Sequence, residues 1–86
     1  EYENGSKKWY KNDLLHRDDD LPAIEHNGTK HWFKNGLRHR DNDLPAIEYS
    51  EGSNYWYKNG KLHRTTGPAL IYFDRYLKEK VFQNLI

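Results

Sequence analysis

The hydrophobic and polar positions of this chain follow a block of about 23 residues that recurs three times: WYKNDLLHRDDDLPAIE from Trp9, WFKNGLRHRDNDLPAIE from Trp32 and WYKNGKLHRTTGPALI from Trp56. Trp9, Trp32 and Trp56 lie 23 and 24 residues apart, His16, His39 and His63 repeat those steps, and Pro22, Pro45 and Pro68 step by 23 and 23. A period of this length marks stacked units that bury apolar faces on their neighbours.

Each block holds two turn signals. Asn35-Gly36 and Asn59-Gly60 are strong hairpin dipeptides, because a type I′ turn needs positive φ at both central residues, and Asn12-Asp13 is a weaker version. The second turn, Asn27-Gly28-Thr29 in one unit and Ser50-Glu51-Gly52-Ser53 in the next, reads as a three- and then a four-residue loop, so the inserted residue leaves the register intact. Across the Asn-Gly turn, Lys58 then faces Lys61, Tyr57 faces Leu62 and Trp56 faces His63. Across the second loop Ile47 falls beside Trp56, and Ile24 beside Trp32.

One sheet face therefore carries the expected core rows Trp9, His16, Ile24, Trp32, His39, Ile47, Trp56 and His63. The other face, amphipathic and wet, carries Glu25, His31 and Arg40, then Glu48, Tyr55 and Arg64, with Tyr10, Phe33 and Tyr57 nearby. The prolines start strands, where a missing N–H costs no ladder bond.

The expected fold is all-β: antiparallel β-hairpin repeats forming one elongated twisted sheet in a single domain over 1–86. A partial leading repeat fills 1–8, repeats fill 9–31, 32–55 and 56–72, and a cap fills 73–86. The opening EYENGSKKW matches EYSEGSNYW ahead of Trp56, so the chain reads as beginning inside a repeat, like a piece of a longer one. In the tail, Phe73, Leu77, Val81 and Leu85 recur every four residues, which predicts a short amphipathic capping helix. The alternative is that Val81-Phe82-Gln83-Asn84 is a worn copy of the Trp-Tyr-Lys-Asn strand.

Composition narrows the function classes. With 86 residues, 35% hydrophobic, 31% charged and 15% aromatic, the chain is a thin but folding domain that leans on hairpins and aromatic packing. A net charge of +1 gives no global steering toward nucleic acid, and interspersed Asp and Glu leave no basic stripe on which strands would stack. Acidic-lipid binding through Lys7, Lys8, Lys11 and Lys30 is a minor alternative. The chain contains no cysteine, which excludes disulfides and thiolate zinc sites and points to the cytoplasm, and no apolar run is long enough to span a membrane.

The blocks resemble MORN-variant repeats (membrane occupation and recognition nexus), whose aromatic-x-Asn-Gly-Lys hairpin is matched by Trp56-Tyr57-Lys58-Asn59-Gly60-Lys61. His63-Arg64-Thr65-Thr66-Gly67-Pro68-Ala69 is similar to a subtype common in bacterial, phage and large-virus reading frames. Asp13 replaces the turn glycine in the first unit, and Asp20-Leu21 and Asp43-Leu44 stand where the subtype has glycine before proline. Over about residues 1–72 the resemblance implies an elongated antiparallel sheet used for protein contacts, with antitoxin, immunity-type and acidic-lipid-binding relatives.

The three histidines invite a metal-ladder reading, but one imidazole per repeat, each across from a tryptophan, reads as packing, and His26 and His31 complete no ligand set. Asp18-Asp19-Asp20 and Asp41-Asn42-Asp43 lack the bidentate glutamate of a calcium loop, so they read as solvated turns. No catalytic constellation, metal or cofactor is expected. Arg40 with Glu25 and Arg64 with Glu48 suggest a cross-strand charge ladder. The surface expected to bind another protein is Tyr10, Arg17, Phe33, Arg38, Arg40, Tyr55, Tyr57 and Arg64, residue types enriched at interface hot spots. The function expected is a non-catalytic protein-binding module, an inhibitor that covers a partner surface, or alternatively a structural repeat segment of a larger protein.

Overall fold

The computed structural model describes residues 5–74 and 79–83, with side chains through residue 73. Thirteen strands succeed one another in this part of the chain: β1 (Lys7–Lys8), β2 (Tyr10–Lys11), β3 (Leu14–Leu15), β4 (Ile24–His26), β5 (Thr29–His31), β6 (Phe33–Lys34), β7 (Leu37–Arg38), β8 (Ile47–Glu48), β9 (Asn54–Tyr55), β10 (Tyr57–Lys58), β11 (Lys61–Leu62), β12 (Leu70–Asp74) and β13 (Glu79–Gln83). Seven of them form an antiparallel sheet in the order β1-β4-β5-β8-β9-β12-β13. The other six form three separate arms, β2-β3, β6-β7 and β10-β11, so the expected single sheet is a sheet with a hairpin arm on each unit. The extents are 40 × 29 × 18 Å, the longest axis more than twice the shortest.

The arms form where the turn chemistry demands them. Asn35 and Gly36 sit at φ 51° and 83°, Asn59 and Gly60 at 51° and 81°, and Asn12 and Asp13 at 51° and 65°, all with both central residues left-handed. The expected register results, with Tyr57 opposite Leu62 and Lys58 opposite Lys61. The His63 amide donates to the Trp56 carbonyl at 2.9 Å, as His16 does to Trp9 and His39 to Trp32.

The second turn corrects the expected rows. Asn27 (φ 48°) and Gly28 (φ 83°) form a two-residue loop, with His26 opposite Thr29, rather than the three-residue loop expected. In the next unit the Tyr49 amide donates to the Ser53 carbonyl, so the inserted residue is absorbed without a slip. Each loop is one residue shorter than expected, and every facing pair shifts by one. Ile24 therefore opposes His31, and Ile47 opposes Tyr55, with neither beside a tryptophan.

Two rows cross the sheet as a result. Lys8, Ile24, His31, Ile47, Tyr55 and Leu70 share one face, while Lys7, Glu25, Lys30, Glu48, Asn54 and Ile71 share the other. His31 and Tyr55, expected on the wet face, belong with the isoleucines.

The tryptophans stand where sheet becomes arm. Trp9, Trp32 and Trp56 donate their amides to the carbonyls of Ala23, Ala46 and Ala69 at 2.8, 2.7 and 2.9 Å. The buried apolar core is those three alanines with Trp32, Trp56 and Ile47; Trp9, Ile24, His16 and His39 are half-buried, and His63 is exposed. Ala23, Ala46 and Ala69 are 0 to 3% exposed, so a larger side chain at these positions would need its neighbours to move.

The C-terminal segment is also corrected. Where a capping helix was expected, β12 pairs with β9 and β13 pairs with β12, Leu70 opposite Gln83 through Asp74 opposite Glu79. Phe73 and Val81, two members of the apparent helical stripe, lie on different strands, and the remaining members Leu77 and Leu85 lie outside the described residues. Nor is β13 a copy of the Trp-Tyr-Lys-Asn strand. Its pairing puts Gln83 at the position of Tyr55, opposite Leu70, so Val81 and Phe82 precede the tryptophan position.

Candidate functional site

The arginine series turns out to be framework. Arg17, Arg40 and Arg64 lie over the rings of Trp9, Trp32 and Trp56, the guanidinium carbon 3.7, 3.6 and 3.8 Å from the ring centroid. Each donates from Nη1 to a proline carbonyl of its own unit, Pro22, Pro45 or Pro68, at 3.1 to 3.2 Å. That tether aims the side chain forward, so Arg17 meets Glu25 at 3.5 Å and Arg40 meets Glu48 at 2.8 Å. The expected pairs Arg40–Glu25 and Arg64–Glu48 do not form. Arg40 instead reaches back to Asp20 and Arg64 to Asp43, each through two nitrogens.

The acidic loops are the receiving half of this clasp. The Trp32 indole N–H donates to the Asp20 carbonyl at 2.9 Å and that of Trp56 to the Asp43 carbonyl at 3.0 Å, so one residue takes both the ring and the guanidinium of the next unit. Arg64 and then Thr66 hold the Asp43 carboxyl below its ordinary value. His16 and Lys11 do the same for Asp18, and His39 for Asp41.

The histidines join units through both ring nitrogens. His16 Nδ1 accepts the Asn35 amide at 3.0 Å, and His39 Nδ1 accepts the Asn59 amide at 3.1 Å. An accepting Nδ1 leaves the proton on Nε2, which donates to Asp18 at 2.8 Å and to Asp41 at 2.7 Å. Among the described residues no group of three or more His, Cys, Asp or Glu side chains gathers where a metal could be held. Between successive units the clasps leave shallow polar grooves, of 220 Å³ along Asp18-Asp19-Asp20 and Lys34, and of 200 Å³ along Asp41-Asn42-Asp43 and Lys58.

Of the surface residues expected from sequence, Arg17, Arg40 and Arg64 thus face inward onto tryptophan. Tyr10 lies on the first arm, 54% exposed. The other four fall into two half-buried groups, Phe33, Arg38 and Tyr57 in one and Tyr55 in the other. Arg38 opposes Phe33 across the second arm and lies 5.1 Å from its ring centroid and 5.8 Å from that of Tyr57 on the next arm. Tyr55 packs edge-on against Tyr49 at 5.0 Å, and Tyr49 in turn against His31 at 6.3 Å.

Charge ties these two groups together. Arg38 lies close enough to His31 to add to the effect of burial in lowering the imidazole's affinity for a proton. Burial raises the Tyr49 hydroxyl above its ordinary value, reinforced by Tyr55 and Tyr57 and opposed by Arg38. His31 Nδ1 and Arg38 Nε are buried without a hydrogen-bond partner among the described residues.

His31 and Tyr49 are members that sequence reasoning missed. The one-residue register error had put His31 on the wet face. The available signal was Arg38 itself, which stands where Leu15 and Leu62 oppose the aromatic in the other arms.

Comparison with protein-family models, with curated proteins and with solved structures finds no match. No helix among the described residues is long and apolar enough to cross a membrane.

Proposed function

We propose that this chain is a non-catalytic protein-binding module with MORN-like architecture, acting in the cytoplasm as an antitoxin- or immunity-type inhibitor acts, by covering part of a partner protein. The observation that carries this reading is a pair of half-buried groups within electrostatic reach of each other, Phe33 and Tyr57 beside the Arg38 guanidinium and Tyr49 packed on Tyr55. Tyrosine and arginine are the types that dominate interface energetics, since they bring large area and directional donors at low rotamer cost. The clasps beneath support the reading, because a stiff surface loses little freedom on binding.

Affinity capture with the chain and with a Tyr49→Ala/Tyr57→Ala variant tests it. A protein retained by the first and lost by the second, at unchanged circular dichroism, is the expected outcome; retention by both removes the cluster as the binding surface.

A second reading, a structural repeat segment, draws on the unit-to-unit clasps, which use most of the repeating charged residues. It predicts that the double substitution changes no interaction and that appending a further unit raises the melting temperature.

A further inference from the structure

We infer that Arg38 is the receptor for a carboxylate on an acidic segment of the protein partner, with Phe33 and Tyr57 forming the apolar seat beside it. This rests on the protein-binding reading above and names the chemistry of what binds there.

Arg38 differs from every other arginine whose side chain is described. Arg17, Arg40 and Arg64 each hold a carboxylate and a proline carbonyl, whereas Arg38 has no carboxylate within ion-pair distance among the described residues and its buried Nε has no hydrogen-bond partner among them. It sits where the equivalent arm residues are Leu15 and Leu62, so the fold at this position is satisfied by an apolar side chain. A guanidinium half-removed from water among aromatic rings is a strong anion receptor, because the lower local dielectric enlarges the charge-assisted hydrogen bond it would make.

The neighbouring imidazole of His31 is held toward its neutral form by burial and by Arg38, which leaves one concentrated positive charge rather than a spread of them. Glu51, the carboxylate among the described residues that acts on Tyr49, accepts the Ser53 amide at 2.8 Å within its own loop. A carboxylate supplied by a partner therefore complements the site without displacing an internal one.

A protein partner is favoured over a nucleic-acid strand. A strand needs cations tracking its backbone as well as rings to stack on, whereas this seat offers one guanidinium, with tyrosine hydroxyls and a carboxylate around it.

Selection of a displayed library of random short peptides on the full chain tests the inference. The chain is expected to enrich peptides carrying Asp or Glu beside an apolar residue. Arg38→Leu, the side chain found in the sister arms, should bind them at least about tenfold more weakly, as loss of a charge-assisted pair implies, and Arg38→Lys should fall between. Melting curves verify that Arg38→Leu is folded.

Enriched peptides without an acidic preference, or with one that persists unchanged in Arg38→Leu, overturn the carboxylate site while leaving the protein-binding reading in place. Failure to enrich any peptide, or binding of oligothymidylate in their stead, overturns both.

Discussion

The second and third units share the Trp, Lys-Asn-Gly, His-Arg and Pro-Ala positions of the repeat yet are bonded differently. In the second, His39 joins Asp41 to the Asn59 amide, and Arg40 holds Glu48 and Asp20 together over Trp32. In the third, His63 is exposed, with no partner for its ring among the described residues, and Arg64 holds Asp43 alone, because Ile71 stands in the place of Glu48. Its loop is Thr65-Thr66-Gly67, with no aspartate to receive another indole or guanidinium.

The third unit thus accepts the clasp of its neighbour and offers none onward. The loop composition of a unit, including the Asp-rich runs that look like idle surface, is set by its C-terminal neighbour. Gly67 fits the same logic: a Cβ there would lie 3.2 Å from the Arg64 guanidinium.

The largest expected effect lies at the arginines. Arg40→Ala removes a stacked cation 11% exposed, two ion pairs and a bond to the Pro45 carbonyl, and should cost about 2 to 3 kcal/mol in urea unfolding. Arg64→Ala lacks the second carboxylate and should cost about 1 kcal/mol less, the value of one partly exposed pair. Equal losses would mean that the Arg40–Glu48 pair contributes nothing and that the two units differ in appearance only.

Acid should separate the units next. Asp18 and Asp41 are held below the ordinary value of 3.8 by their histidines, so their contribution is present above that value and lost as pH falls through the lower folded values. Both histidine–aspartate pairs belong to the first two units, while the third shares in the acid loss only through Asp43, so hydrogen exchange below pH 3.8 should show the first two units opening before the third. The imidazole of His31 titrates below its ordinary 6.5, so the stability it confers is complete above 6.5 and declines as pH drops beneath it. His31→Tyr, which copies Tyr55, should flatten that upper part of the pH–stability curve; an unchanged slope below pH 6.5 would show that burial of His31 is not felt.

The smallest expected effect is a gain. Asp13 holds φ 65° where the sister turns have glycine, and Asp13→Gly should stabilise by about 0.5 kcal/mol, read as a rise in melting temperature of a few degrees.

The arms were legible because Asn-Gly allows one turn geometry, which fixes every pair along them. The sheet was legible only in outline. Asn27-Gly28-Thr29 is compatible with loops of two or three residues, and the choice of one residue decides whether His31 faces Ile24 or solvent. The C-terminal hairpin was hidden because Phe73 and Val81, on two strands, fall by coincidence at a helical spacing.

The clasps had a signal in the constant eight-residue step from Trp9 to Arg17, Trp32 to Arg40 and Trp56 to Arg64. Nothing in that step says that the guanidinium lies on the ring, since the geometry comes from the proline carbonyl that tethers it. For the candidate site, Phe33, Arg38, Tyr55 and Tyr57 were readable as residue types, whereas their meeting with His31 and Tyr49 depends on the register that the sequence leaves open.

The claim that each interior unit is locked by its C-terminal neighbour is tested most directly by nitrogen NMR of the three repeat imidazoles at neutral pH. His16 and His39 should each show a single tautomer with the proton on Nε2, together with slowly exchanging Asn35 and Asn59 amides, while His63 shows the averaged signal of a free ring. Three indistinguishable, averaged rings would contradict it.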